Sequence, residues 1–399
     1  MKTAAFLYPW DVAGDPDAAA RIADLGVQQV TLASAYHSTR ALTPRHPEHR
    51  IVTAAHASVL YPASGARWAG RALRPYAAGS WAPSADPFAE AAAALTGAGL
   101  DVHTWVVLAH NSRMGAEHPG TSVVNAYGDR YPWAPCIAQP ATRDYLTDLA
   151  AEAATRPGAL GTELESLGWY GLAHLHAHDK IAGVRLEEAG HYLMSLCFCP
   201  ACADGYRQLG LDAEELSVAV RRALEPVWST GASGTSGDSG TSGAPGTGWP
   251  AIEKLLGADL AAATLTWRTR TARTLQERVV AAVRAAAAPG FQILLHADPV
   301  AHHCGANAGV DPGHILAVAD GVVVPCTGDP ALLTPFAAHR RPGTVLAANL
   351  TVVSGMGGSP ATLADDAARA AGLGASELRL YHAGLASDAD LGLVRAALA

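Results

Sequence analysis

The sequence predicts an α/β fold, a (β/α)8 TIM barrel, and three observations lead there. Eight short β-rich runs recur along the 399 residues, each followed by an Ala-rich segment with apolar residues at helical spacing. Such alternation sets strands side by side in parallel and covers them with helices. No Gly-x-Gly-x-x-Gly follows the first strand, which removes the main support for an open dinucleotide-binding sheet. A composition of 49% hydrophobic and 16% charged residues suffices to bury a large core.

The elements follow in order. Ala4 to Tyr8 is an apolar run that forms the first strand, and Asp15-Pro16 starts the helix that reaches Leu25. Val27 to Ala33 and Val102 to Leu108, rich in β-branched residues, are the second and third strands, with a helix from Pro87 to Thr96 between them. Thr142 to Ala154 is the next helix and Leu160 to Glu165 the fourth strand. Helices over Ala201 to Leu209 and Ala251 to Ala287 separate it from the fifth strand, Gln292 to Ala297. Val322 to Pro325, Val345 to Leu350 and Leu378 to His382 complete the eight, with helices at Pro360 to Ala371 and Asp388 to Leu398. Long connections, 37 to 86 and 109 to 141, follow strands 2 and 3; on the carboxyl side of a barrel such loops wall a site. Residues 229 to 249, low-complexity Gly/Ser/Thr, read as a flexible, disordered insertion in the crossover between strands 4 and 5. Four strands precede this segment and four follow, so neither half closes alone and the expectation is one barrel domain over 1–399.

A net charge of −8 without any Lys/Arg-rich run offers no footprint for nucleic acid. No apolar stretch approaches the roughly 18 residues of a membrane span, and the N-terminal run ends in Tyr8-Pro9-Trp10 rather than at a small-residue cleavage site. The expectation is a soluble, cytoplasmic protein without nucleic-acid or membrane partners, with a homo-oligomer left open. Six cysteines, three of them in Cys197-Phe-Cys199-Pro-Ala-Cys202, fit reduced thiols or a metal cluster better than a disulfide framework.

Barrel chemistry sits at the carboxyl ends of the strands. Tyr8 and Trp10, His37, His110 and Asn111, His296 and Asp298, Asn349, and Tyr381 and His382 all fall there. The strongest feature is Glu163-Leu-Glu165 at the end of strand 4, because residues i and i+2 share a face and set two carboxylates about 6–7 Å apart along the chain. Mutual repulsion would keep a proton on one of them, as a general acid requires. The alternative is that one pairs with a barrel arginine while the other lies at the rim.

Asn125-Ala-Tyr-Gly-Asp129-Arg-Tyr-Pro with Cys136, the Glu163-Leu-Glu165-Ser-Leu-Gly-Trp169 strand end, the His-rich segment to Lys180 and Cys197-Phe-Cys199-Pro-x-Cys202 resemble barrel proteins described as glycoside hydrolase-like. The resemblance covers residues 3 to 210; beyond them only strand and helix spacing agrees. The strand 4 end is also similar to the Asp-x-Glu end in chitinase-type barrels, which implies Glu165 as general acid and Glu163 as its partner. The nucleophile glutamate at the end of strand 7 and the Asn-Glu pair on strand 4, expected of the largest retaining clan, are replaced by Asn349 and by Leu164 before Glu165. The second catalytic group is then Asp298 or an acetamido group of the substrate.

Cys197-x-Cys199-x-x-Cys202 resembles the structural zinc cluster of bacterial barrel β-galactosidases, with Cys136 as the distant fourth ligand. A closed site of that kind stabilises a loop without touching chemistry; the alternative is three reduced cysteines in a packed turn. Strand-end histidines His37, His110, His296 and His382 could instead hold a catalytic metal, as in barrel amidohydrolases and sugar isomerases, although strand 1 lacks the His-x-His of the former. His174, His176 and His178 alternate in one loop. Trp10, Trp105, Trp169, Tyr170 and Tyr381 offer flat faces for pyranose rings.

The expected function is therefore cleavage of a glycosidic bond in a small glycoside or oligosaccharide. Glu165, Glu163 and Asp298 are its catalytic candidates, and Tyr8, Trp10, His37, His110, Asn111, Trp169, His296, Asn349, Tyr381 and His382 its substrate-binding ones. Cys136, Cys197, Cys199 and Cys202 point to structural zinc as cofactor, with no organic cofactor. A metal-dependent sugar isomerase or hydrolase, and a non-catalytic sugar-binding barrel, are the alternatives.

Overall fold

The computed structural model describes residues 1–175, 179–230 and 248–399. Eight parallel strands form the barrel: β1 (Lys2–Leu7), β2 (Gln29–Tyr36), β3 (Asp101–Val107), β4 (Ala159–Glu165), β5 (Gln292–Asp298), β6 (Gly321–Pro325), β7 (Val345–Thr351) and β8 (Glu377–Tyr381). Each pairs with its sequence neighbour, and β1 pairs with both β8 and β2, closing the sheet. Every expected strand is present, with its ends displaced by a few residues at most.

The helices depart from expectation where glycine and turn chemistry intervene. The helix expected over Ala251 to Ala287 is split into Gly248–Leu256 and Ala258–Ala286, because Gly257 at φ +87° leaves the helical region. The first helix shortens to Ala18–Ala23, since the Asp15 carboxylate accepts from the Asp17 amide in a turn. Helices over Glu187–Met194, Ala213–Thr230 and Pro312–Val318 were not anticipated. Of the expected insertion at 229–249, residues 231–247 lie outside the described residues. Its borders are helical rather than loop: Ser229 belongs to Ala213–Thr230, and Gly248 and Trp249 open the next helix.

The loop after β2 folds into a hairpin, Thr39–Leu42 with Ile51–Ala54, then a short strand antiparallel to the end of β2. Arg45 clasps this loop to the one after β8, donating to the carbonyls of Ala383, Gly384 and Ala386. The loop after β3 holds a short helix, Ser112–Glu117, and a hairpin, Ser122–Val124 with Arg130–Pro135, that ends at Cys136. No helix among the described residues is long and apolar enough to cross a membrane.

Inside the barrel, Leu294, Val323, Val345 and Ala347 form an apolar layer. Beside it lies a pair of charges that are both fully buried: Arg379 of β8 donates from Nε to Glu163 Oε1 of β4 at 2.6 Å. Thr31 Oγ1 donates to the same oxygen at 3.0 Å, and Arg379 Nη1 to Glu377 at 2.8 Å. Burial alone would raise the Glu163 carboxyl, but Arg379, His296 and His103 hold it down at about 2. Breaking such a pair strands the surviving charge.

R379L is therefore expected to lose about 3–5 kcal/mol of stability at pH 7 in urea unfolding. The wild type tests the same pair by acid. With the folded value at about 2 against an ordinary 4.5, the contribution of Glu163 is complete above 4.5 and lost as pH falls through 2. A wild-type unfolding free energy that stays flat across that window would contradict this.

Candidate active site

Glu165 ends β4 on the inner face, and Ser166, at φ +57°, turns the chain away immediately after it. The Ser166 amide donates to the Ala306 carbonyl at 2.8 Å, which anchors that turn to the loop after β5. Trp105 of β3 donates its indole N–H to Glu165 Oε2 at 2.7 Å. On the other side His296 of β5 brings Nδ1 to 4.0 Å from the same oxygen. Only 12% of the Glu165 side chain is exposed.

Aromatic rings wall this carboxyl. Phe6 meets Trp105 edge-on at 4.8 Å and Tyr381 at 5.5 Å. Tyr8 lies between Trp10, stacked at 4.7 Å, and His382, stacked at 4.3 Å. The turn Pro9–Asp11, in which Asp11 Oδ2 accepts from the Tyr8 amide, carries Trp10 back over Tyr8. A β-bulge in β2 between Ala33 and Ala35 re-aims Tyr36 to the inner face, where its hydroxyl accepts from that of Tyr8 at 3.1 Å.

This enclosure suppresses charge. Burial pushes the Glu165 carboxyl up, opposed by His296 and the Trp105 hydrogen bond. Repulsion from Glu163 is not the cause, for Glu163 is neutralised by Arg379 across the barrel. Burial likewise raises the phenols of Tyr8, Tyr36 and Tyr381, and lowers His37 to about 4, His110 to about 2 and His382 to about 3.

The remaining candidates divide by place. His37 and His110 stack at 4.7 Å in a column that runs from Tyr36 to Tyr170, with His174 edge-on to His110. His176 and His178 lie outside the described residues. Asn111 caps the Ser112–Glu117 helix, its Oδ1 accepting from the Met114 amide at 2.9 Å. Asn349 is on the inner face of β7, in register with Arg379, and its Oδ1 has no partner among the described residues. Asp298 sits two residues beyond His296 on the same face of β5, with His303 Nδ1 at 3.8 Å and the Val300 amide donating to it at 2.8 Å. Trp169 is elsewhere: its indole donates to the Arg268 carbonyl at 3.0 Å, against the long helix Ala258–Ala286. The alternative that one of the two glutamates pairs with a barrel arginine holds for Glu163, but the sequence reading did not name Arg379, and Thr31 was missed. The alternation Glu377-Leu-Arg379-Leu-Tyr381 was the available signal, since it sets an arginine on the same face as Tyr381.

Among the described residues, one His/Cys/Asp/Glu group brings its donor atoms together closely enough for a metal ion, and it consists of cysteines. The sulfurs of Cys136, Cys197, Cys199 and Cys202 lie within 4.8 Å of one another and all four residues are buried. Cys136 Sγ is 3.6 Å from both Cys199 and Cys202, near the roughly 3.8 Å between thiolates of a tetrahedral site with 2.3 Å bonds. N–H groups point at the sulfurs: the Val124 amide at Cys197 and the Gln139 side chain at Cys199. The cluster joins the hairpin after β3 to the segment after β4.

No family model and no curated protein matches the sequence. Solved structures do. The whole chain aligns with 99% of the PgaB (BpsB) glycoside hydrolase domain from Bordetella bronchiseptica, at TM-score 0.59 and 13% identity. The fold it shares with that domain is the (β/α)8 barrel. The catalytic domain of β-amylase from Paenibacillus polymyxa is similar over 99% of this chain and 97% of its own, at TM-score 0.56 and 11% identity. With α-L-fucosidase isoenzyme 2 from Paenibacillus thiaminolyticus the whole chain aligns at TM-score 0.57 and 12% identity, but spans 49% of that chain.

The cysteine geometry makes a direct prediction. The purified protein is expected to carry one metal ion per chain by elemental analysis, and C199S to lose it. Metal retained by C199S would place it elsewhere.

Proposed function

We propose that the protein cleaves the glycosidic bond of a small glycoside or oligosaccharide, with Glu165 as the general acid. The observation that carries this reading is the state of that carboxyl. It is buried, raised in proton affinity, and held through one oxygen only. Trp105 occupies Oε2, so the proton resides on Oε1, which bonds no group among the described residues. From there it passes to the glycosidic oxygen as the bond to the anomeric carbon breaks. Asp298, on the neighbouring strand, supplies the second carboxylate, as base toward water or as nucleophile. Tyr381, half-buried, presents the ring on which a pyranose packs, whereas Tyr8, covered on both faces by Trp10 and His382, and the fully buried Trp10 lie behind it. Glu163 does not exchange protons in this scheme, because Arg379 keeps it ionised.

The cysteine cluster holds a structural zinc that ties two loops bordering the barrel mouth. All six cysteines are free of disulfides, which fits a reducing cytoplasmic compartment. The glycosidase fold of its structural neighbours supports the reaction class.

The test is E165Q on a panel of nitrophenyl glycosides and oligosaccharides. On any substrate the wild type cleaves, kcat is expected to fall about 10²–10⁴-fold with KM nearly unchanged. Wild-type turnover by E165Q would remove Glu165 from the reaction.

A further inference from the structure

We infer that His296 is the positioning residue of this site: its ring spans the two strand 4 carboxylates, anchored on Glu163 through Nε2 and presenting Nδ1 to Glu165. The registry of β4 and β5 sets this up, for Leu294 lies opposite Glu163 and the next inner-face residue, His296, rises between Glu163 and Glu165. Nε2 is 3.5 Å from Glu163 Oε2, and Nδ1 is 4.0 Å from Glu165 Oε2. The ring is 4% exposed and is held edge-on to Phe6.

The unpaired atoms decide the orientation. Glu163 Oε1 already accepts from Arg379 and Thr31, whereas Glu163 Oε2 and His296 Nε2 are both buried and bond nothing else among the described residues. Two unpaired buried atoms facing each other at 3.5 Å satisfy one another only if one is a donor. Glu163 is ionised and accepts, so the hydrogen belongs on Nε2. The fixed charge of the Glu163–Arg379 pair thereby orients the ring, with Nε2–H toward Glu163 and the Nδ1 edge toward Glu165.

The other groups around the pair leave this role to His296. Glu165 faces Trp105 of β3, His296, and the phenols of Tyr8, Tyr36, Tyr381 and Tyr170, which burial keeps neutral. Glu163 faces Arg379 of β8, Thr31 of β2 and His103 of β3, whose Nδ1 is 3.9 Å away. His296 is the ionisable side chain in contact with both carboxylates, and it opposes the effect of burial on Glu165.

The inference rests on Glu165 being the titrating acid of the proposed reaction, but its test needs no substrate. Carboxyl-¹³C-glutamate protein would be titrated by NMR, with the Glu165 signal assigned by its loss in E165Q, in wild type and in H296Q. Removing His296 is expected to shift the Glu165 midpoint upward, because His296 opposes the effect of burial there. A folded H296Q with the wild-type midpoint overturns the proposal. Should H296Q fail to fold, ¹⁵N-histidine spectra of the wild type decide the matter: a protonated Nε2 upholds it and a bare Nε2 overturns it. A wrong assignment of the reaction would show separately, as undiminished turnover by E165Q.

Discussion

The buried ion pair between Glu163 and Arg379 is the constraint on which the site depends. Taking a carboxylate and a guanidinium out of water costs several kcal/mol per ion, and their attraction recovers it only with good geometry and full hydrogen bonding. The barrel meets that condition for Glu163 Oε1, which receives two donors, and in part for Arg379, which spans two carboxylates while its Nη2 bonds nothing among the described residues. Closure of the sheet makes this possible, since β4 and β8 face each other across the axis. The pair contributes less to stability than to chemical definition. It holds one of two neighbouring glutamates ionised and leaves the other to respond to burial, moderated by His296 and Trp105.

That division was half legible in the sequence. The period of two along a strand put Glu163 and Glu165 on one face, and the structure agrees. Repulsion between them was the expected source of the retained proton, whereas the structure derives it from burial, with Glu163 satisfied by an arginine 216 residues away. The alternation in Glu377-Leu-Arg379-Leu-Tyr381 sets an arginine on an inner face, but only barrel closure brings it to Glu163. Trp169 misled for a related reason. It follows the strand end closely, but the left-handed turn at Ser166 sends the chain outward, so the indole packs on the long helix instead of the mouth.

Local chemistry was most readable where it was also most constrained. The strands are short, apolar and bounded by turn residues, and all eight were recognisable. The helix Ala213–Thr230 was obscured because it runs directly into the Gly/Ser/Thr segment, whose composition dominated the reading of its neighbours. The cysteines were the reverse case. Three at close spacing announced a cluster, and the fourth, Cys136, arrives on a separate hairpin because the loop after β3 folds back toward the segment after β4.

The aromatic mouth completes the argument about charge. Rings that pack edge-to-face and stacked around Glu165 exclude the solvent that would stabilise its carboxylate, while the neutral phenols nearby add no cation to replace it. The same exclusion strengthens whatever electrostatic contacts survive, because field strength grows as the local dielectric falls. One indole N–H and one imidazole edge are then enough to orient the carboxyl and moderate its proton affinity. A general acid needs this balance: affinity high enough to hold the proton until a leaving oxygen approaches, and low enough to release it. In the scheme proposed for this barrel, the aromatic enclosure would provide the first, and His296, anchored on Glu163, would provide the second.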